Sequence, residues 1–272
     1  MISLNISIQE NKGFENKFCQ IMPLRLGYFG FGKKKESKNV EKFKNNKDLI
    51  IHASFSTRLW GKIKDTWMEK NIKNYLEYFK GKLLIHGPNN KEEVEKLEEG
   101  LNWLNEILSE EERRRLIIEM PAFTKELFEE LKNKENKKEI VKDYFMKCLR
   151  KGFNICLDTA HCYSNGLEVN DMFDLVKEIE EKKDLKDLNK SNLQECLIIH
   201  LNGNQNDKYN MDHHTWILSK KNKYKKDVWK FLYLVKEENL KCILELTDEN
   251  EYDKYFEKYS KRLKDMGFDV VI

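Results

Sequence analysis

Residues Asn154 to Tyr163 read N-I-C-L-D-T-A-H-C-Y. Phe153 to Leu157 is a short apolar run entered from Gly152, the pattern of a buried strand. It closes on Asp158, and His161 follows three residues later. A strand that delivers a carboxylate and then an imidazole at its C-terminal end carries the parts of a metal site. The arrangement recurs along the chain. L-I-I-H ends on His52, L-L-I-H on His86, L-I-I-E on Glu119, L-I-I-H on His200 and C-I-L-E on Glu245.

Working outward, strands are expected over Met1 to Ile8, Leu24 to Phe31, Leu49 to His52, Leu83 to His86, Leu116 to Glu119, Phe153 to Asp158, Cys196 to Leu201 and Lys241 to Glu245. Helices are expected between them: a short one over Gly13 to Ile21, then Val40 to Lys47, Met68 to Phe79, Lys91 to Ser109, Thr124 to Leu131, Lys138 to Lys151, Asp171 to Lys182, Asp227 to Glu238 and Glu249 to Met266. Lys91 to Ser109 carries Val94, Leu97, Leu101, Leu104, Ile107 and Leu108 at helical spacing. Strands alternating with helices argue for an α/β chain of parallel βα units, closing into a single (β/α)8 TIM barrel. Such barrels place function at the C-terminal ends of their strands. With no low-complexity linker, the whole chain, 1–272, is expected to be one domain.

Composition sets outer bounds. The 272 residues suffice for one such barrel, and the net charge of +3 with 36% charged residues does not by itself point to nucleic acid. None of the six cysteines forms a C-x-x-C pair, which suits reduced, buried thiols. No apolar run approaches the roughly 18 residues of a membrane span, and no secretory signal is seen. An intracellular protein without a membrane partner is expected, nucleus or cytoplasm being left open, and a monomer.

The candidate ligands are His52, His86, Glu119, Asp158, His161, His200, Asp212, His214 and Glu245. Each has an ordinary alternative: a lone strand-end histidine is commonly a hydrogen-bonded structural residue, and a strand-end carboxylate can cap a helix. The joint pattern outweighs these. Of six histidines, four lie at or just beyond an apolar strand, and His213 and His214 share one loop. Nitrogen and oxygen donors without cysteine suit zinc, with manganese or iron as other choices. A catalytic zinc takes about three or four protein ligands, so this many donors imply two or three ions.

These motifs resemble the endonuclease IV family of apurinic/apyrimidinic endonucleases. His52-Ala53-Ser54-Phe55 is similar to the family's H-A-P-Y, and His86 precedes Gly87-Pro88 where the next strand-end histidine falls. Ile118-Glu119-Met120-Pro121 stands for L-E-N-T, Asp158-Thr159-Ala160-His161 for D-T-C-H, and His200-Leu201-Asn202-Gly203 for H-L-N-D. Asp212-His213-His214 keeps the outer residues of D-R-H, and Leu244-Glu245-Leu246-Thr247 resembles L-E-T-P. The resemblance runs from about residue 49 to 248. It implies three zinc ions on a TIM barrel: one held by His52, His86 and Glu119, a second by Asp158, His200 and Glu245 with Glu119 bridging, a third by His161, Asp212 and His214. It implies incision of double-stranded DNA 5′ of an abasic site, leaving a 3′-hydroxyl, as in base excision repair. Glu119, Glu245 and Asp158 would carry the catalysis, Glu245 or Asp158 orienting the attacking water.

The departures lie outside this set. His213 replaces the arginine of D-R-H, Gly203 the acid of H-L-N-D, and Met120-Pro121 a polar pair; the early G-A-H-V-S is only faintly echoed in Leu4 to Ser7. Candidate DNA contacts are Phe55, Arg58, Tyr163, His213 and Trp216, with lysines at 33–35 and 220–226 as phosphate contacts. The Glu119, Asp158, His200 and Glu245 set alone would also suit a metal-dependent sugar isomerase or epimerase; the extra histidines argue for the nuclease.

Overall fold

A computed structural model of the chain describes residues 1–7, 17–22, 41–53, 60, 64, 66–132, 137–181, 193–210, 212–245 and 260–270. Eight parallel strands close a barrel: β1 (Ile2–Ser7), β2 (Cys19–Met22), β3 (Leu49–His52), β4 (Lys82–His86), β5 (Leu116–Glu119), β6 (Asn154–Asp158), β7 (Leu197–His200) and β10 (Lys241–Leu244). Each pairs with its neighbour in chain order, and β1 closes the circle against β10, with Leu4 opposite Leu244. The expected TIM barrel is the observed fold. Between β7 and β10 the chain adds a two-stranded antiparallel hairpin, β8 (Asn202–Asn204) and β9 (His214–Trp216).

Period-two alternation sorts the strand residues into two layers. One face packs outward beneath the helices, where Ile51, Leu83, Ile85, Leu116, Ile118, Ile155, Leu157, Leu197 and Ile199 join the main core. The other faces the barrel axis, where Phe18, Ile50, Leu84, Ile117, Cys156, Ile198 and Ile243 form an apolar cluster. Two residues further along each of those strands, on the same face, stand Gln20, His52, His86, Glu119, Asp158, His200 and Glu245. These inner residues make an apolar floor, and the next layer toward the C-terminal mouth is polar. No described helix is long and apolar enough to cross a membrane.

Four expectations need correction or completion. The second barrel strand is Cys19–Met22, where a short helix was expected over Gly13 to Ile21; buried Gln20 interrupts the apolar run and hides the strand. The strand expected over Leu24 to Phe31 lies outside the described residues. The helix expected over Lys91 to Ser109 is two, Lys91–Glu95 and Leu97–Ile107, broken at Lys96, and only the second buries side chains. A third piece, Glu110–Arg113, starts at a capping box in which Ser109 and Glu112 satisfy each other's backbone donors. Of the closing helix expected over Glu249 to Met266, only 260–266 is described, helical through 265.

Candidate metal centre

The nine side chains converge on one buried opening at the C-terminal mouth of the barrel. His52 Nε2 and His86 Nε2 face the same oxygen, Glu119 Oε2, at 3.2 and 3.4 Å. The other oxygen, Oε1, faces His200 Nδ1 at 3.0 Å and His161 Nδ1 at 3.4 Å. Glu119 therefore stands between two pairs of imidazoles, one oxygen to each pair. His200 Nδ1 also lies 3.7 Å from Asp158 Oδ2 and 3.4 Å from Glu245 Oε1. On the far side, Asp212 Oδ2 is 2.8 Å from His214 Nε2 and 3.5 Å from His161 Nε2. Among the described residues, three groups are close enough to hold an ion: His52, Glu119 and His200; Asp158, His200 and Glu245; Asp158, His161 and His214.

Backbone partners decide which imidazole nitrogen faces the opening. A carbonyl oxygen only accepts, so His52 Nδ1 donates to the Ala53 carbonyl at 2.7 Å and Nε2 is the nitrogen turned toward Glu119. His161 Nδ1 likewise donates to the Met120 carbonyl at 3.1 Å, turning Nε2 toward Asp212. Asp158 divides its two oxygens. Oδ1 caps the helix Thr159–Ser164, accepting from Ala160 N at 2.7 Å and His161 N at 3.0 Å, while Oδ2 accepts from Asn202 Nδ2 at 2.6 Å and faces the histidines. Capping and metal-capable geometry are thus combined in one residue, and the capped turn places His161 over the same opening.

Electrostatics fit a cation. Glu119 Oε2 is buried and makes no aligned hydrogen bond among the described residues, although two imidazole nitrogens crowd it. Burial pushes the His86 ring down to about 3, which keeps it neutral and able to donate a lone pair. Burial also disfavours a charged His161, but Asp158, Asp212 and Glu119 outweigh it and lift that ring to about 10. The carboxyl of Asp212 is pulled down against its burial by hydrogen bonds to His161 and His214. Four carboxylates beside five imidazoles in a largely buried space suit a borderline divalent metal such as zinc.

Asp212 and His214 reach the opening from the hairpin, not from a barrel strand. The hairpin is held down at several points. Asn204 Nδ2 donates to Ser164 Oγ at 2.7 Å, Tyr209 N donates to the Ser164 carbonyl at 2.7 Å, and Asn204 N donates to Asn222 Oδ1 at 3.1 Å. The Tyr224 hydroxyl donates to the Asn202 carbonyl. At Gly166, with φ +98, a Cβ would lie 2.6 Å from the Tyr209 ring, so only glycine lets the loop seat there.

Two supporting residues escaped the sequence reading. Gln20 touches both His200 and Glu245, and Asn202 holds Asp158 and Glu245 together, donating to Glu245 Oε2 at 3.2 Å and accepting from Glu245 N at 3.1 Å. The signal for Gln20 was its place two residues beyond Phe18, where the ligand layer falls. Among the proposed DNA contacts, Tyr163 and Trp216 are core residues, 9% and 7% exposed, and Tyr163 packs on Tyr224 at 4.8 Å between centroids. Apolar packing takes up most of both rings and leaves little of either exposed at the surface. His213 is exposed; Phe55, Arg58 and the lysines at 33–35 lie outside the described residues.

Fold and cavity together define a class: a parallel (β/α)8 barrel with an imidazole- and carboxylate-lined opening at its C-terminal mouth. Among solved structures the chain is similar to the crystal structure of endonuclease IV from Thermus thermophilus, with a TM-score of 0.56 and 18% identity over 97% of this chain and 99% of that one. At that identity the likeness is one of fold. No protein-family model matches the chain, and no curated protein matches it.

Proposed function

We propose that the protein is a zinc-dependent phosphodiesterase that incises double-stranded DNA 5′ of an abasic site. The observation that carries this reading is the convergence of the nine side chains, with Glu119 offering one oxygen to each of two groups. The likeness in fold to an endonuclease IV supports it. His52, His86 and Glu119 would hold one ion, Asp158, His200 and Glu245 a second shared with Glu119, and His161, Asp212 and His214 a third. When bound, such ions make water a nucleophile near neutral pH and neutralise charge on phosphate and leaving oxygen.

The chain's own groups do the positioning. Glu245 and Asp158 flank His200 and are steadied by the Asn202 amide, so either can orient the attacking water along the phosphorus axis. The apolar cluster below leaves no polar group at the floor, among its described residues, to hold bulk water there. The bond that breaks joins phosphorus to the 3′ oxygen of the preceding nucleotide, leaving a 3′-hydroxyl and a 5′-deoxyribose phosphate.

The test is a nicking assay on a duplex bearing one tetrahydrofuran abasic analogue. The expected result is a single nick 5′ of the lesion, abolished by chelator and restored by zinc or manganese. No nick at enzyme excess with either metal restored would overturn the reading. Turnover of an aldose with one or two bound ions would instead support an isomerase.

A further inference from the structure

We propose that Gln20 is a positioning residue for the ion held by Asp158, His200 and Glu245, fixing the His200 ring with Nδ1 toward the opening and holding the Glu245 carboxylate beside it. This rests on the metal-centre reading above and not on DNA being the substrate.

Gln20 is fully buried on β2, at the level of a layer that also holds His52, His86, Glu119, Asp158, His200 and Glu245. Both ends of its amide are used. Glu245 Oε1 can only accept, so Gln20 Nε2 donates to it, at 2.7 Å. That leaves Gln20 Oε1 as acceptor, and His200 Nε2 donates to it at 2.9 Å. A proton on His200 Nε2 is thereby fixed, and Nδ1, which faces the Glu119 carboxylate, is the nitrogen an ion would claim. That is the nitrogen lying 3.0 Å from Glu119, 3.4 Å from Glu245 and 3.7 Å from Asp158. His52 and His161 have their rings set by backbone carbonyls; His200 has its ring set by a side chain 180 residues away in sequence.

The residue type follows from the surroundings. A carboxylate at position 20 would accept from His200 but repel Glu245. An apolar residue would leave two buried polar groups without partners. A glutamine supplies one donor and one acceptor without adding charge.

The experiment compares the wild-type chain with Gln20→Leu and the isosteric Gln20→Glu. Each is equilibrated with buffered zinc, and bound metal is counted by plasma mass spectrometry, with circular dichroism to verify folding. Loss of one of about three ions at limiting free zinc is expected in both variants, or a roughly 10- to 100-fold weaker affinity for one ion, with the others retained. Wild-type loading in the folded variants would overturn the proposal. So would loss of all ions together from a folded chain, or failure of both variants to fold, because each makes Gln20 a general packing residue. If the wild-type protein fails to nick abasic DNA yet Gln20→Leu loses an ion, the DNA reading falls and this inference stands. Normal nicking with unchanged loading in the variants would leave the DNA reading standing and overturn the role of Gln20.

Discussion

Six of the nine candidate ligands stand on or directly after barrel strands, each two residues beyond an apolar residue of the inner ring. The other three, His161, Asp212 and His214, sit on a helical turn and a hairpin built above that mouth. The difference separates two ways of fixing a side chain. A barrel strand is positioned by register with both neighbours and by the apolar cluster beneath it. The hairpin is positioned by a few side-chain and backbone hydrogen bonds to the Ser164 region, Asn222 and Tyr224. The strand layer is expected to be the less yielding of the two.

Removing the bridging group should separate the regions most sharply. Glu119→Gln is expected to lower incision by at least roughly 10²–10³-fold, with duplex binding largely retained. Single-turnover nicking and a binding titration on the same abasic duplex check this, and unchanged cleavage would remove Glu119 from the bridge. Next in size, Asp212→Asn should weaken one ion by roughly 10- to 100-fold and leave the strand-held pair in place. A metal titration of the folded variant reads this directly; loss of all ions together would mean that hairpin and strands act as one unit.

The contrast also bears on what could be read from the amino-acid sequence. Strand ligands were legible because each closes an apolar run: Ile117 then Glu119, Ile198 then His200. The hairpin was not, since N-G-N and H-T-W are too short and too polar to stand out as strands. Asp212 and His214 were found through their resemblance to a motif, not through any periodicity. Strand β2 was missed because its inward residue after Phe18 is a glutamine, and polar residues inside a strand read as loop or helix surface. The burial of Tyr163 and Trp216 was not legible, because an aromatic near a site and an aromatic in the core look alike in sequence.

Smaller effects sharpen the comparison further. Gly166→Ala puts a Cβ against the Tyr209 ring at a positive φ and should cost about 1–3 kcal/mol of stability, read as a lower melting temperature. Its effect on metal should be confined to the hairpin ion. The pH dependence has a definite sign. In the metal-free chain the ring of His161 is lifted from 6.5 to about 10, so its contribution is complete below pH 6.5 and fades as pH rises toward 10. Metal affinity should move the opposite way, rising over that window as the ring gives up its proton to an ion. Melting curves of the chelator-treated chain and zinc titrations in buffers of different ionisation heat would reveal both trends; a metal-free stability that rises from pH 7 to 9 would contradict this assignment.

The most direct test of the account is the metal count itself, taken by native mass spectrometry on the folded chain after chelator stripping and zinc reconstitution. About three zinc ions per chain are expected, falling by one in Asp212→Asn and by more in Glu119→Gln. A chain that stays folded and binds a single ion, or none, would contradict the claim that these nine side chains form one polynuclear centre.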